Sequence, residues 1–273
     1  MRKVVIANNA VPVLGQGTWQ LGRFAEKRNQ EIEALRVGIE LGMSVLDTAE
    51  MYDNEDLIGE AIADCRDSVY LISKVLPSNA SYRGTLQACE RSLNRLGVDS
   101  IDLYLLHWEG SYSLEETIEA FEELKAKGRI VAWGVSNFDL HAMQELCSKP
   151  MGSNCAANEL HYNLGFRAID FELKPWCQCQ KIPIIAYSPL GEGSFVRHPL
   201  LVEIGRHYGA SAAQIALSWV LSHPDLIAIP KAGSIDHLRE NALAEQIQLT
   251  QEDLQRLERA FPKATCHQPI TTW

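Results

Sequence analysis

No stretch of this 273-residue chain is long and apolar enough to cross a bilayer. The start, Met1-Arg-Lys-Val-Val-Ile-Ala-Asn-Asn9, has only a short apolar run behind its charges, too little for a secretory signal. Positive charge is in deficit: 25 Lys and Arg against 35 Asp and Glu leave a net charge of −10 with His neutral. Without a basic face, nucleic-acid and acidic-membrane binding are excluded, and an anionic ligand needs a local positive site built against the chain's own field. The seven cysteines (Cys65, Cys89, Cys147, Cys155, Cys177, Cys179 and Cys266) are odd in number and form no CxxC pair. Cys177 and Cys179 have no second cluster at zinc-like spacing, so no metal site is expected, and the thiols read as reduced and mostly buried in a cytoplasmic protein. No Pro/Ser-rich linker, low-complexity tract or charge block divides the chain, which reads as one domain over 1–273.

What is present is alternation. Short apolar runs at 13–17, 43–47, 69–73, 101–106, 130–135, 154–158, 182–187 and 226–229 are separated by helical patterns. The runs are apolar almost throughout, as in strands of a parallel sheet buried on both faces. Ser113-Leu-Glu-Glu116, Ser211-Ala-Ala-Gln214 and Thr250-Gln-Glu-Asp253 open helices with capping-box spacing, and Gly128 closes the first. Eight strand–helix units in this length predict an α/β fold, a closed (β/α)8 TIM barrel. An open dinucleotide-binding sheet would want G-x-G-x-x-G after its first strand, whereas Gly15 and Gly17 are followed by Thr18-Trp19-Gln20-Leu21.

In a parallel barrel, reactive groups belong at the C-terminal strand ends. The second strand ends in Asp47-Thr48-Ala49-Glu50-Met51-Tyr52, the third in Ser73-Lys74 and the fourth in His107-Trp108. Singly, Asp47 reads as a loop cap, Lys74 as its partner and His107 as a core histidine. Together, ionisable groups at hydrophobic strand ends would each be costly without partners, and clustering them makes their mutual shifts useful. The chemistry that fits is protonation of a developing alkoxide: Tyr52 as proton donor, Lys74 lowering its pKa, Asp47 holding the lysine, and neutral His107 orienting a carbonyl. No side chain supplies a hydride, so a reduced nicotinamide is required. A metal-dependent barrel enzyme using Asp47, His107 and Glu109 is the alternative, disfavoured because Lys74 would repel the ion.

The segments DTAEMY (47–52), SK (73–74), LLHW (105–108), GVSNF (134–138), AYSPLG (186–191) and IPKAGSIDHLREN (229–241) resemble the aldo-keto reductase family, as a short-loop, prokaryotic-type member. The resemblance spans nearly the whole chain. It implies an NADP(H)-dependent oxidoreductase that reduces aldehydes and ketones, with Asp47, Tyr52, Lys74 and His107 matching the family's catalytic tetrad. A non-catalytic relative that binds nucleotide and regulates a partner is the other reading that the resemblance leaves open. The implied coenzyme is NADPH, with NADH weaker.

Coenzyme contacts are implied for Gly17, Thr18, Trp19 and Asp47 on the first two strands, and for Ser136, Asn137 and Glu159 near the carboxamide. Tyr187 would stack on the nicotinamide, and Ser188, Leu190 and Gly191 would lie against the pyrophosphate. Lys231, Ala232, Ser234, His237, Glu240 and Asn241 would surround the 2′-phosphate, beside a helix N-terminus capped by Ser234. Two departures stand out. Glu159 replaces the usual glutamine and cannot donate to an amide oxygen unless protonated. Ala232 and His237 stand where NADPH-preferring members often carry serine and arginine. On the substrate side Trp19, Tyr52, His107 and Trp108 are expected to contact the carbonyl compound, with Trp273 a further wall. The loops 109–112 and 188–198 are short, which predicts an open site for small or aromatic aldehydes, 2-oxoaldehydes and some ketones. The protein is expected to act as a monomer or weak dimer.

Overall fold

A computed structural model describes residues 1–270. It opens with a hairpin that the sequence reading did not anticipate: β1 (Lys3–Ile6) pairs antiparallel with β2 (Asn9–Pro12) through Ala7 and Asn8, whose φ values of 46° and 70° make the tight turn. Two central residues with positive φ match the twist of the flanking strands.

Eight parallel strands follow: β3 (Gln16–Gly17), β4 (Val45–Asp47), β5 (Tyr70–Val75), β6 (Ile101–Leu106), β7 (Ile130–Ser136), β8 (Asn158–His161), β9 (Ile184–Tyr187) and β10 (Leu226–Ala228). Each pairs with the next in chain order, and parallel bridges Leu14–Ala228 and Gly17–Lys231 join the first to the last. The result is the expected (β/α)8 barrel. After β3 to β7 come α1 (Arg28–Glu40), α2 (Glu55–Ile62), α3 (Tyr82–Leu96), α4 (Leu114–Ala126) and α5 (Leu140–Ser148) in turn. Helix α6 (Leu173–Gln180) follows β8, α7 (Pro199–Tyr208) and α8 (Ala212–Leu221) follow β9, and α9 (Ile235–Leu243) and α10 (Gln251–Ala260) follow β10.

Every residue of β5 is buried, and in β7 only Val131 is exposed, because barrel interior and helix layer cover both faces. Between β6, β7 and α4 the rings of Tyr104, Phe121 and Trp133 pack in sequence, and Trp133 Nε1 donates to Glu122 at 2.7 Å. Close strand approach explains both Gly15 and Gly17: a Cβ at Gly17 would lie 2.7 Å from the Ile229 carbonyl oxygen where the barrel closes, and one at Gly15 2.6 Å from the Val45 side chain of the neighbouring β4.

Three local expectations are corrected. The strand expected at 154–158 begins only at Asn158, because Gly152–Asn154 form a 3-10 turn packed tightly on the end of α5. The strand expected at 69–73 runs on to Val75, which places Lys74 within it. The capping box at Ser113 does not form: Ser113 Oγ donates to Glu115, while Glu116 is drawn across to the Tyr82 amide at the start of α3. The boxes at Ser211 and Thr250 do form.

Candidate active site

The C-terminal ends of β4, β5, β6, β7, β8 and β9 surround one mouth. After β4 the chain makes a short turn, Glu50–Tyr52, whose position is fixed from two sides. Glu50 accepts hydrogen bonds from the Leu76 amide at 2.6 Å and the Asn79 side chain at 3.0 Å. Asn54 accepts from Thr48 and donates to the carbonyls of Thr18 and Leu21, tying this loop to the one after β3. Tyr52 is thereby held over the barrel. Along β5 the alternation of side chains separates two ion pairs. Ser73 points to the helices, donating to Glu55 at 2.6 Å, and Glu55 in turn receives Arg95 Nε at 2.8 Å. Lys74 points into the barrel.

There Lys74 is fully buried and donates to Asp47 Oδ1 at 2.7 Å, Asp47 Oδ2 at 2.6 Å and the Thr48 carbonyl at 3.0 Å. Its ammonium lies 5.2 Å from the Tyr52 ring centre, and the Tyr52 and His107 rings meet edge to face at 5.7 Å. Glu159 Oε1 stands 3.3 Å from the same ammonium, a third ionic member that the sequence reading had assigned only to the coenzyme.

The electrostatics correct one expectation. Burial pushes the Tyr52 phenol above its ordinary value; Lys74 pulls it back and Asp47 pushes it up again, so the net shift is upward rather than downward, and a charge on Glu159 acts in the same upward direction. Burial opposes the charge on Lys74, but its carboxyl neighbours, Asp47 foremost, outweigh it and hold the ammonium firmly protonated. His107 is brought down to about 3, first by burial and then by Lys74, so it is a neutral imidazole at working pH. Its Nδ1 has no hydrogen-bond partner among the described residues.

These groups form the floor of a cavity of about 660 Å³. Of the residues expected at the site, Gly17, Thr18, Trp19, Asp47, Tyr52, His107 and Trp108 line it, as do Ser136, Asn137, Glu159, Tyr187, Ser188, Leu190 and Lys231. Lys74 lies beneath it, and Gly191, Ala232, Ser234, His237, Glu240 and Asn241 are not on its wall. Ser234 caps α9 as expected, taking the His237 amide at 3.4 Å, with the His237 side chain exposed. Trp273 lies outside the described residues.

The side chains on the β7–β9 side are already bound to one another. Asn137 Nδ2 donates to the His107 carbonyl at 3.1 Å and to Ser136 Oγ at 3.0 Å, and its Oδ1 accepts from Tyr187 at 2.8 Å. Asn137 thus presents its remaining acceptor capacity, rather than a spare N–H, to a ligand. The Tyr187 ring is backed by His161, stacked at 5.3 Å.

The sequence reading missed several wall residues, among them Met51 and Val196, which are both half exposed at the rim (50% each). Their signal was position alone: Met51 precedes Tyr52, and Val196 lies in the short loop after β9. Lys231 is the cation on the cavity wall among the described residues, bridged to Gly17; Trp19, Met51, Trp108 and Val196 give that wall apolar surface.

Comparison with known proteins agrees with this geometry. Residues 13–261 match the Aldo/keto reductase family. Methylglyoxal reductase YeaE of Escherichia coli (strain K12) is 47% identical over 261 residues, which is 93% of this chain and 92% of the relative. Glyoxal reductase of Bacillus subtilis (strain 168) is 33% identical over 94% of this chain and 92% of its own. Among solved structures, an aldo/keto reductase from Klebsiella pneumoniae in complex with NADP and acetate superposes with a TM-score of 0.98 at 42% identity, covering 100% of this chain and 99% of that one.

Proposed function

The chain belongs to the aldo/keto reductase family, and from that premise we propose that it reduces small uncharged aldehydes, 2-oxoaldehydes foremost, to alcohols with NADPH, Tyr52 delivering the proton. The observation that carries this reading is the shared cavity floor, where Tyr52 and neutral His107 sit side by side above the buried Asp47–Lys74 pair. Bound NADPH supplies the hydride. The cavity suits that coenzyme in its chemistry: an aromatic platform at Tyr187, polar groups at Ser136, Asn137 and Glu159, and Lys231 with the capped start of α9 for the phosphate end.

As the carbonyl oxygen gains charge, Tyr52 donates its O–H proton and becomes a phenolate. A phenol raised by burial is a weak acid in the resting site, so the ammonium of Lys74 matters most at the moment the phenolate forms. Its attraction is already in place and needs no reorganisation. Asp47 keeps that ammonium charged and fixed by two hydrogen bonds. His107 orients the carbonyl through a ring nitrogen, as the neutral tautomer its environment enforces. The apolar surface that Trp19, Met51, Trp108 and Val196 give the wall favours uncharged substrates over oxo acids. The names of the Escherichia coli and Bacillus subtilis relatives support 2-oxoaldehydes in particular. A site assembled from one chain suits a monomer or weak dimer, and seven unpaired cysteines suit the cytoplasm.

The test is NADPH oxidation against methylglyoxal and a panel of neutral and anionic carbonyl compounds, for wild type and Tyr52→Phe. The variant should keep NADPH binding and lose about 10²–10⁴-fold in kcat. Retention of more than about a tenth of wild-type kcat would remove Tyr52 as the proton donor.

A further inference from the structure

Two buried carboxyl groups face a single ammonium at the cavity floor, and the hydrogen-bond count does not serve both. Lysine has three N–H donors. All three of Lys74 are directed at Asp47 Oδ1, Asp47 Oδ2 and the Thr48 carbonyl. Glu159 Oε1, at 3.3 Å, is within ionic range of the ammonium but farther from it than the three acceptors on Asp47 and Thr48. Glu159 Oε2 has no partner at all among the described residues, although the side chain is only 2% exposed. A carboxylate in that situation would carry a desolvation cost that its single, longer contact with a shared ammonium offsets only in part, and it would add a second negative charge against one positive charge.

From this geometry we infer that Glu159 is held as a neutral carboxylic acid, the proton-bearing member of a cluster with Asp47 and Lys74, and that its ionisation turns reduction off from the alkaline side. This rests on the reading of Tyr52 as proton donor. Burial and then the neighbouring Asp47 charge raise Glu159 well above the ordinary carboxyl range, against the weaker downward pull of Lys74, which is the same direction. In the neutral form its O–H has Asp47 as acceptor, and the substitution of glutamate for the family's glutamine becomes chemically mild: each has one oxygen acceptor and a donor.

The groups that face Glu159 define what ionisation does. Asp47 comes from β4, Lys74 from β5, Tyr52 from the turn after β4 and Tyr187 from β9; β7 contributes Ser136, which does not titrate, and His161 follows two residues on along β8. A negative charge on Glu159 raises the Tyr52 phenol, so its ionisation makes Tyr52 a poorer acid. It also places charge on the wall of the coenzyme cavity. Both effects weaken the reaction as pH rises. Glu159 is therefore a positioning residue for the proton, acting through Lys74 and Tyr52.

The test compares wild type with Glu159→Gln, which keeps shape and cannot ionise. Kd for NADPH, by fluorescence quenching, and kcat/KM for methylglyoxal are measured from pH 6 to 10. Wild-type kcat/KM should fall on an alkaline limb by up to about tenfold per pH unit, the limit for one proton, with NADPH binding weakening over the same range. In Glu159→Gln that limb should vanish or move to higher pH. Infrared spectra of the coenzyme-free proteins should show a protonated-carboxyl stretch that Glu159→Gln lacks. A limb left in place, or one moved to lower pH as expected from removing a standing negative charge, would overturn the inference, and so would identical carboxyl spectra. Since the infrared band needs neither coenzyme nor turnover, its outcome is independent of whether Tyr52 proves to be the proton donor.

Discussion

Replacing Lys74 by Met keeps the unbranched stem and deletes the charge, and it probes stability and chemistry in one variant. The ammonium is fully buried and makes three hydrogen bonds, two of them to Asp47. Without it Asp47, itself 2% exposed, faces Glu159 with no compensating cation from β4, β5 or β8. Removing one partner of a buried pair costs about 3–5 kcal/mol, mainly because the remaining charge is uncompensated. For a chain of this size that corresponds to a fall in Tm on the order of 10 °C. The loss should be smaller at pH 5 than at pH 8, since protonation of the stranded carboxyl relieves it. Adding Asp47→Asn removes the stranded charge and should recover more than half of the lost stability while restoring no activity. Activity should fall by about 10²–10⁴-fold in both variants, because in each the phenol feels burial without the opposing cation. Thermal unfolding at the two pH values and kcat with methylglyoxal read both parts. A Lys74→Met protein within about 2 °C of wild type would refute the burial argument. A double variant no more stable than the single one would refute the assignment of the cost to Asp47.

Two other outcomes follow from the same environment. His107 and His223 are depressed by burial to about 3 and about 4, below the ordinary value near ~6.5; the unfolded chain therefore binds more protons, and stability should decline as pH falls from about 6.5 toward 4. The slope is at most about 1.4 kcal/mol per pH unit for each histidine, and urea midpoints at pH 5 and 7.5 should show a smaller difference in His107→Gln than in wild type; an unchanged difference would remove His107 from the account. Outside the cavity wall, His237 is exposed in the first turn of α9 and its amide is occupied by Ser234. His237→Arg should tighten NADPH by about 1 kcal/mol, roughly fivefold, and leave NADH unchanged in equilibrium binding; an equal gain for both coenzymes would place the arginine away from the 2′-phosphate.

The barrel was legible in the chain because its strands are buried on both faces, so continuous apolar runs alternate with helical periodicity. Asp47, Tyr52, Lys74 and His107 were legible because strand ends mark the barrel mouth. What escaped was local competition. Ser113 has capping-box spacing, but Glu116 has a better partner in the Tyr82 amide, and only packing of α4 on α3 brings that amide near. In the sequence, Gly15 and Gly17 show only that the third glycine of a dinucleotide loop is lacking; the reason for them is tertiary, since Gly15 meets Val45 on the paired strand β4 and Gly17 the Ile229 carbonyl where the barrel closes.

The division is sharpest at the cavity floor. By itself the sequence determined which ionisable groups stand at which strand ends, since a two-residue alternation decides which side chains face inward. It did not determine their protonation. The expectation that Lys74 lowers the Tyr52 phenol counted one cation and one phenol; the folded chain adds burial above all, and the net direction reverses. Charge interactions depend on separation and on the water that is excluded, and both are set only when β4, β5 and β8 come together around one ammonium.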